Sequence, residues 1–268
     1  MPSKAGEPIF RLLARSDYDS AILFVNNQRI TKVLDITGLS YIDIVGEGVT
    51  EQSGDAYLRA FRDGRPFVSK RLTYELFTYP LAVESYINDF DDGTTGDFAG
   101  NGFSITSYSG FAGRAIHSTH QYENNAEYIF TLKQPIKVRA NEALINFSEI
   151  DIIEPGTEGA LPGSSAFKDY VVIQGSLDGV NWLDLVEPYD ATANALWPPY
   201  FGPVAIPVPD ILMFRAIDLQ NTFNTDDEIL IRFVLRSDSD NVGWGWLIDN
   251  LKIQTESVIA GLDDENVR

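Results

Sequence analysis

Apolar and polar residues alternate along most of this chain in short runs, separated by turn residues. Val, Ile, Phe, Tyr and Thr fill the runs, and Gly, Asn-Asn, Asp-Gly and Pro punctuate them. A period of two puts successive side chains on opposite faces, so the pattern predicts β-strands. In the first part strands are expected at 7–15 (EPIFRLLAR), 20–26 (SAILFVN), 28–36 (QRITKVLDI), 55–63 and 66–78. Asn26-Asn27 and Asp63-Gly64 are tight-turn candidates, because both central positions of a two-residue hairpin favour positive φ. From Val83 onward strands are expected at 84–90, 102–108, 126–132, 143–152, 168–175, 180–186, 212–219, 228–236 and 245–254. Asp169-Tyr170-Val171-Val172-Ile173-Gln174 is apolar at consecutive positions, as in a strand covered on both faces. No segment of useful length keeps a helical period.

Composition agrees with a packed fold. The chain has 268 residues, 44% apolar and 22% charged, enough for a sizeable core in one large domain or two. Charge divides it further. Residues 1–80 carry ten bases and ten acids, whereas 81–268 carry ten bases and 29 acids, so the whole net charge of −19 lies in the second part. This step points to two units joined near Tyr79-Pro80. The first is read as a small sandwich, Ig-like in size and truncated at its start, and the second as a larger sandwich. The acidic end, 257–268, reads as a solvated linker tail.

Such acidity argues against nucleic acid and against anionic membrane surfaces, both of which need a basic face. It suits divalent cations, which take carboxylate oxygens. No cysteine is present, which excludes disulfides, zinc-thiolate sites and cysteine nucleophiles. Met1-Pro-Ser-Lys-Ala-Gly has no apolar h-region, so no signal peptide is expected, and no run approaches the ~20 apolar residues of a membrane span.

Four groups of residues could carry chemistry. Asp89, Asp91, Asp92 and Asp97 share a loop with Gly93 and Gly96, a segment able to wrap a calcium ion; solvated loop acids are the plainer reading. Glu149 and Asp151 fall on one strand face, with Glu154 beyond. Paired carboxylates serve glycoside hydrolysis, yet acids at i and i+2 are also ordinary on an exposed sheet face, and they could instead join a cation site. His117 and His120 are the two histidines, and in a strand or loop their spacing is poor for zinc. Trp182 and Trp246 are expected in the core and Trp244 partly so. Trp197, Tyr200 and Phe201, in LWPPYFGP, are the candidate exposed aromatic contact surface, with packing over the sheet as the alternative. No Walker loop, G-x-G-x-x-G, H-E-x-x-H or G-x-S-x-G occurs.

Three phrases together carry a resemblance. Residues 88–103 (NDFDDGTTGDFAGNGF) resemble the opening of MAM-like jelly-roll domains of bacterial surface proteins. Residues 168–185 (KDYVVIQGSLDGVNWLDL) resemble their central hairpin, shared with discoidin-type jelly rolls, where Asp178-Gly179 would make a tight turn. Residues 229–254 (ILIRFVLRSDSDNVGWGWLIDNLKIQ) resemble the closing strands. The likeness spans about 83–255. It implies a jelly roll over 81–256 and pairs Asp91 with Asp249 across a structural calcium, with Asp92 and Asp97 nearby. Animal MAM domains carry disulfides, and this chain has none. The tail IQTESVIAGLDDENVR resembles the linker before the sorting domain of type IX secretion cargo in Bacteroidota, which implies an extracellular or cell-surface setting. The function implied is a non-catalytic binding or adhesion module for a glycan or a surface protein. The alternatives are an accessory module of a larger secreted enzyme or surface fibre, and a glycoside-active enzyme using Glu149 and Asp151.

Overall fold

The structure, a computed structural model, describes residues 2–255 apart from 14–16, 35, 39–40, 94–95, 158, 161–163, 165 and 203–205. The tail at 257–268 lies outside the described residues. Among them no helix is long and apolar enough to cross a membrane.

The fold is all-β. Its first strands are β1 (Ile9–Leu13), β2 (Ser20–Val25), β3 (Gln28–Leu34), β4 (Tyr41–Val45), β5 (Ser53–Arg62), β6 (Arg65–Val68) and β7 (Leu72–Glu75). β1 and β4 make a two-stranded antiparallel sheet; β3, β2 and β5 make another, with β6 and β7 both paired to β5. The two sheets enclose Leu23, Val25, Ile36, Ile44 and Leu58. The single run expected at 66–78 is therefore two strands, each taking one half of the long β5. Both predicted turns hold: Asn26 and Asn27 have φ of 48° and 67°, and Asp63 and Gly64 have 50° and 73°.

The larger sandwich comprises β8 (Tyr86–Asn88), β9 (Phe98–Asn101), β10 (Phe103–Thr106), β11 (Ala115–Ser118), β12 (Glu127–Leu132) and β13 (Ile136–Lys137). It continues through β14 (Leu144–Ile152), β15 (Tyr170–Ser176), β16 (Leu183–Asp184), β17 (Met213–Asp218), β18 (Glu228–Arg236) and β19 (Gly245–Ile253). One six-stranded sheet runs β10-β11-β19-β14-β17 with β8 added to β19, and the other runs β16-β15-β18-β12-β9 with β13 added to β18. Phe147 and Trp246 from the first meet Phe233 from the second in the jelly-roll core. The β15–β16 connection is longer than a two-residue turn. Asp178 Oδ1 accepts the Val180 and Asn181 N–H groups, both at 2.7 Å, and orders the loop as an Asx turn.

β18 is apolar almost throughout because both of its faces are covered. Ile231, Phe233 and Leu235 face the core. Leu230, Arg232 and Val234, on the other face, are buried too. The first unit lies over that outer face. Lys4 N–H donates to Asp178 O at 2.7 Å, and the Tyr41 hydroxyl accepts from Arg236 at 3.3 Å. The same covering explains the unbroken Val171-Val172-Ile173 run of β15.

Candidate functional site

Where the first unit crosses the outer face of the second sheet, a cleft of about 300 Å³ remains open. Its lining includes Arg11 and Asp43 from the first unit, and Glu127, Trp182 and Arg232 from the second. Gly100 forms part of the floor. Its backbone passes so close to β12 that a Cβ would fall 1.8 Å from the Ile129 carbonyl oxygen, so no side chain fills that part of the cleft.

An ion network holds one wall. Arg11 grips Asp43 through two hydrogen bonds, Nε to Oδ1 at 2.7 Å and Nη2 to Oδ2 at 2.6 Å. Arg11 also pairs with Glu127 across the boundary between the units. Arg236 donates Nε to Glu127 Oε1 at 2.7 Å and Nη1 to the Tyr170 hydroxyl at 2.9 Å. Forked guanidinium–carboxylate pairs fix geometry as well as charge.

Arg232 differs from these. Its Nε donates to Gln174 Oε1 at 2.7 Å, and its guanidinium lies 4.0 Å from the centre of the Trp182 ring. Gln174 is held in turn by Asp184, 2.6 Å away. No ion pair among the described residues includes Arg232. Burial, reinforced by the nearby Arg11 charge, pulls it down to about 9. A half-buried indole beside a guanidinium without a counter-ion thus borders the cleft. Trp182 was expected in the core. The signal missed in the sequence is the pair of arginines four apart, 232 and 236, in an otherwise apolar strand: both fall on one face.

The proposed aromatic surface is not assembled as expected. Trp197 is 1% exposed, and its Nε1 donates to Ile211 O at 3.0 Å. Tyr200 and Phe201 pack beside it against an apolar cluster separate from the jelly-roll core, with Trp244 and Ile152. The apolar cover that this loop gives the sheet is the reason. Trp197→Phe should cost about 1–2 kcal/mol through the lost hydrogen bond and smaller ring, read by urea denaturation. A stability unchanged within error would contradict this packing role.

Asp249 in β19 does lie near the acidic loop. Burial raises its carboxyl, and Asp91 and Asp89 add like-charge repulsion. Asp91 Oδ1 accepts the Arg114 N–H at 2.8 Å, over Gly113, where a Cβ would sit 2.0 Å from that oxygen. Asp97 instead accepts from the Tyr86 hydroxyl at 2.9 Å, and Asp92 also acts on Tyr86. Among the described residues, no three of these five carboxylates come within 4.8 Å of one another.

Glu149 and Asp151 share a face, as expected, but that face is the sealed interior. Both are 0% exposed. Glu149 takes Arg215, the Tyr189 hydroxyl at 2.7 Å and Trp246 Nε1 at 2.8 Å. Substrate has no access to either acid, which removes the glycosidase pairing. His117 is buried and His120 half-buried: His117 Nδ1 and His120 Nε2 are 2.9 Å apart, and His120 Nδ1 lies 2.8 Å from Trp244 O. The two rings hydrogen-bond each other. Burial, and then His120, lowers His117 to about 4.

No protein-family model and no curated protein matches this sequence. Among solved structures, a carbohydrate-binding module specific for non-crystalline cellulose aligns at TM-score 0.36 and 12% identity, covering 59% of this chain and 87% of its own. A family 11 carbohydrate-binding module from Clostridium thermocellum, in complex with a β-1,3-1,4-mixed-linked tetrasaccharide, aligns at TM-score 0.36 and 11% identity, covering 65% and 96%. Carbohydrate-binding modules of the β-sandwich superfamily align at 0.34 and 10%, covering 94% and 97%. At these distances any functional reading rests on the cleft itself.

Proposed function

We propose that this chain is a non-catalytic, extracellular β-sandwich module that binds glycan in the cleft between its two units. The observation that carries the reading is the juxtaposition of Trp182 and Arg232 at that cleft. A sugar ring offers a C–H face and a rim of hydroxyls. An indole supplies apolar contact area for the first, and forked guanidinium and carboxylate groups supply hydrogen bonds for the second. Among the described residues no acid forms an ion pair with Arg232, so its guanidinium can serve a ligand. The ion network presets Arg11, Asp43 and Glu127, so little side-chain freedom is lost on binding. The sealed positions of Glu149 and Asp151 support a module without hydrolytic chemistry. The extracellular setting is supported by sequence likeness alone, that of residues 83–255 to domains of bacterial surface proteins and that of the tail to a secretion-cargo linker.

A glycan array covering neutral and uronic oligosaccharides tests this, followed by calorimetric titration of the best binder. Trp182→Ala should weaken binding at least tenfold, about 1.4 kcal/mol, while leaving the melting temperature within a few degrees. Absence of any glycan ligand, or a ligand indifferent to both Trp182→Ala and Arg232→Gln, would sink the proposal.

A further inference from the structure

A second site lies at the end of the sandwich, in residues that the cleft does not use. Glu154 follows β14 by two residues, Asp169 precedes β15, and Asp238 follows β18 by two. One carboxylate oxygen from each lies within 4.8 Å of the other two, and among the described residues this is the one such trio. β14 belongs to one sheet, β15 and β18 to the other. The three acids therefore meet across the gap between the sheets.

Their support is specific. The Tyr122 hydroxyl donates to Asp169 Oδ2 at 2.5 Å and accepts the Glu154 N–H at 3.0 Å. The Asp238 N–H donates to Asp169 Oδ1 at 2.7 Å. Asn241 Nδ2 donates to Glu154 Oε1 at 2.8 Å. Glu154 Oε2, on a residue only 7% exposed, is buried and has no hydrogen-bond partner. A buried carboxylate oxygen without a donor is costly, and a cation is the partner such an oxygen accepts most readily. Lys168 Nζ stands at the rim, 3.6 Å from Asp238 and 3.4 Å from Asp240. One ammonium cannot balance four acids.

We propose that Glu154, Asp169 and Asp238 bind a calcium ion that clamps the two sheets together. Oxygens no more than 4.8 Å apart need at most a small side-chain adjustment to share one ion at roughly the 2.3–2.6 Å of calcium coordination, with water completing its six to eight ligands. Magnesium demands a tighter octahedron that three acids from separate strand ends are poorly placed to supply. The site is distinct from Asp91 and Asp249, and it stands or falls independently of the glycan cleft.

The test uses the full chain, stripped with EDTA and desalted, then titrated calorimetrically with calcium chloride and separately with magnesium chloride. Terbium luminescence excited through tyrosine gives a second readout, since Tyr122 touches Asp169. The expected result is calcium uptake with a rise in melting temperature, weakened at least tenfold by Asp238→Asn and by Glu154→Gln. Asp249→Asn should bind as the parent does. Lys168→Gln should bind calcium several-fold more tightly, because a competing ammonium is gone. Asp238 is partly exposed, so its variant reports on binding even where Glu154→Gln folds poorly. No calcium uptake by the stripped chain overturns the proposal. So does uptake that Asp238→Asn leaves intact, or that only Asp249→Asn abolishes.

Discussion

Arg215→Met should destabilise the fold by about 3–5 kcal/mol, the range for stripping one partner from a buried ion pair. Glu149 is wholly enclosed, and Arg215 is its only cation among the described residues. The guanidinium also lies 3.8 Å from the centre of the Tyr189 ring, whose hydroxyl donates to the same carboxylate. Burial pushes the Glu149 carboxyl up and Arg215 holds it down. Without the arginine the acid must either stay charged in the core or keep a proton that solvent would take. The loss should therefore be greater at pH 8 than at pH 5. Urea denaturation at both values measures it. The double variant with Glu149→Gln should recover much of the loss, since the uncompensated charge is then gone. A single-variant loss below 1 kcal/mol would show that Tyr189 and Trp246 suffice to hold the charge.

How far the sequence reveals this molecule depends on which physical rule each residue obeys. Strand alternation is local, so β2, β5, β12, β14 and β18 lie where the pattern put them, and the Asn-Asn and Asp-Gly turns follow from backbone sterics. Short strands such as β11 and β13 carry too few residues to show a period. The jelly-roll reading of the second unit was legible in whole phrases. The cleft was not, because it exists only where the first unit crosses β18. The spacing of Arg232 and Arg236 in an apolar strand marks one face as unusual, but nothing local says that another unit crosses it. Trp197 and Trp182 exchanged expectations for a related reason. A loop rich in Trp, Pro and Tyr looks like an exposed platform until a sheet face is found beneath it. The acids at 149 and 151 show the limit of pairing arguments: alternation gives the shared face but not whether that face meets water.

Asp151→Asn should stabilise the protein at neutral pH, with the gain growing as pH rises from about 4 and reaching up to about 3 kcal/mol. Asp151 is 0% exposed, and neither carboxylate oxygen has a well-formed hydrogen bond; the Ile153 N–H offers only a marginal one. Desolvation by burial raises its carboxyl well above the ordinary 3.8, and the charges of Glu149 and Asp190 raise it further. A carboxyl whose folded value exceeds its unfolded one favours folding fully below the unfolded value. That contribution is lost as pH climbs through the raised value, at up to about 1.4 kcal/mol per pH step. Above the raised value the loss levels off. Asparagine stays neutral throughout and escapes it. His117, pushed down to about 4 by burial, makes the opposite contribution, lost as pH falls, but it titrates alike in both chains and cancels in the difference. Denaturation at pH 4, 6 and 8 should therefore give curves that nearly coincide at the first value and separate progressively at the others. A gap that stays constant with pH would mean that Asp151 keeps its charge in the folded core and is balanced by Arg215, which already acts to lower it.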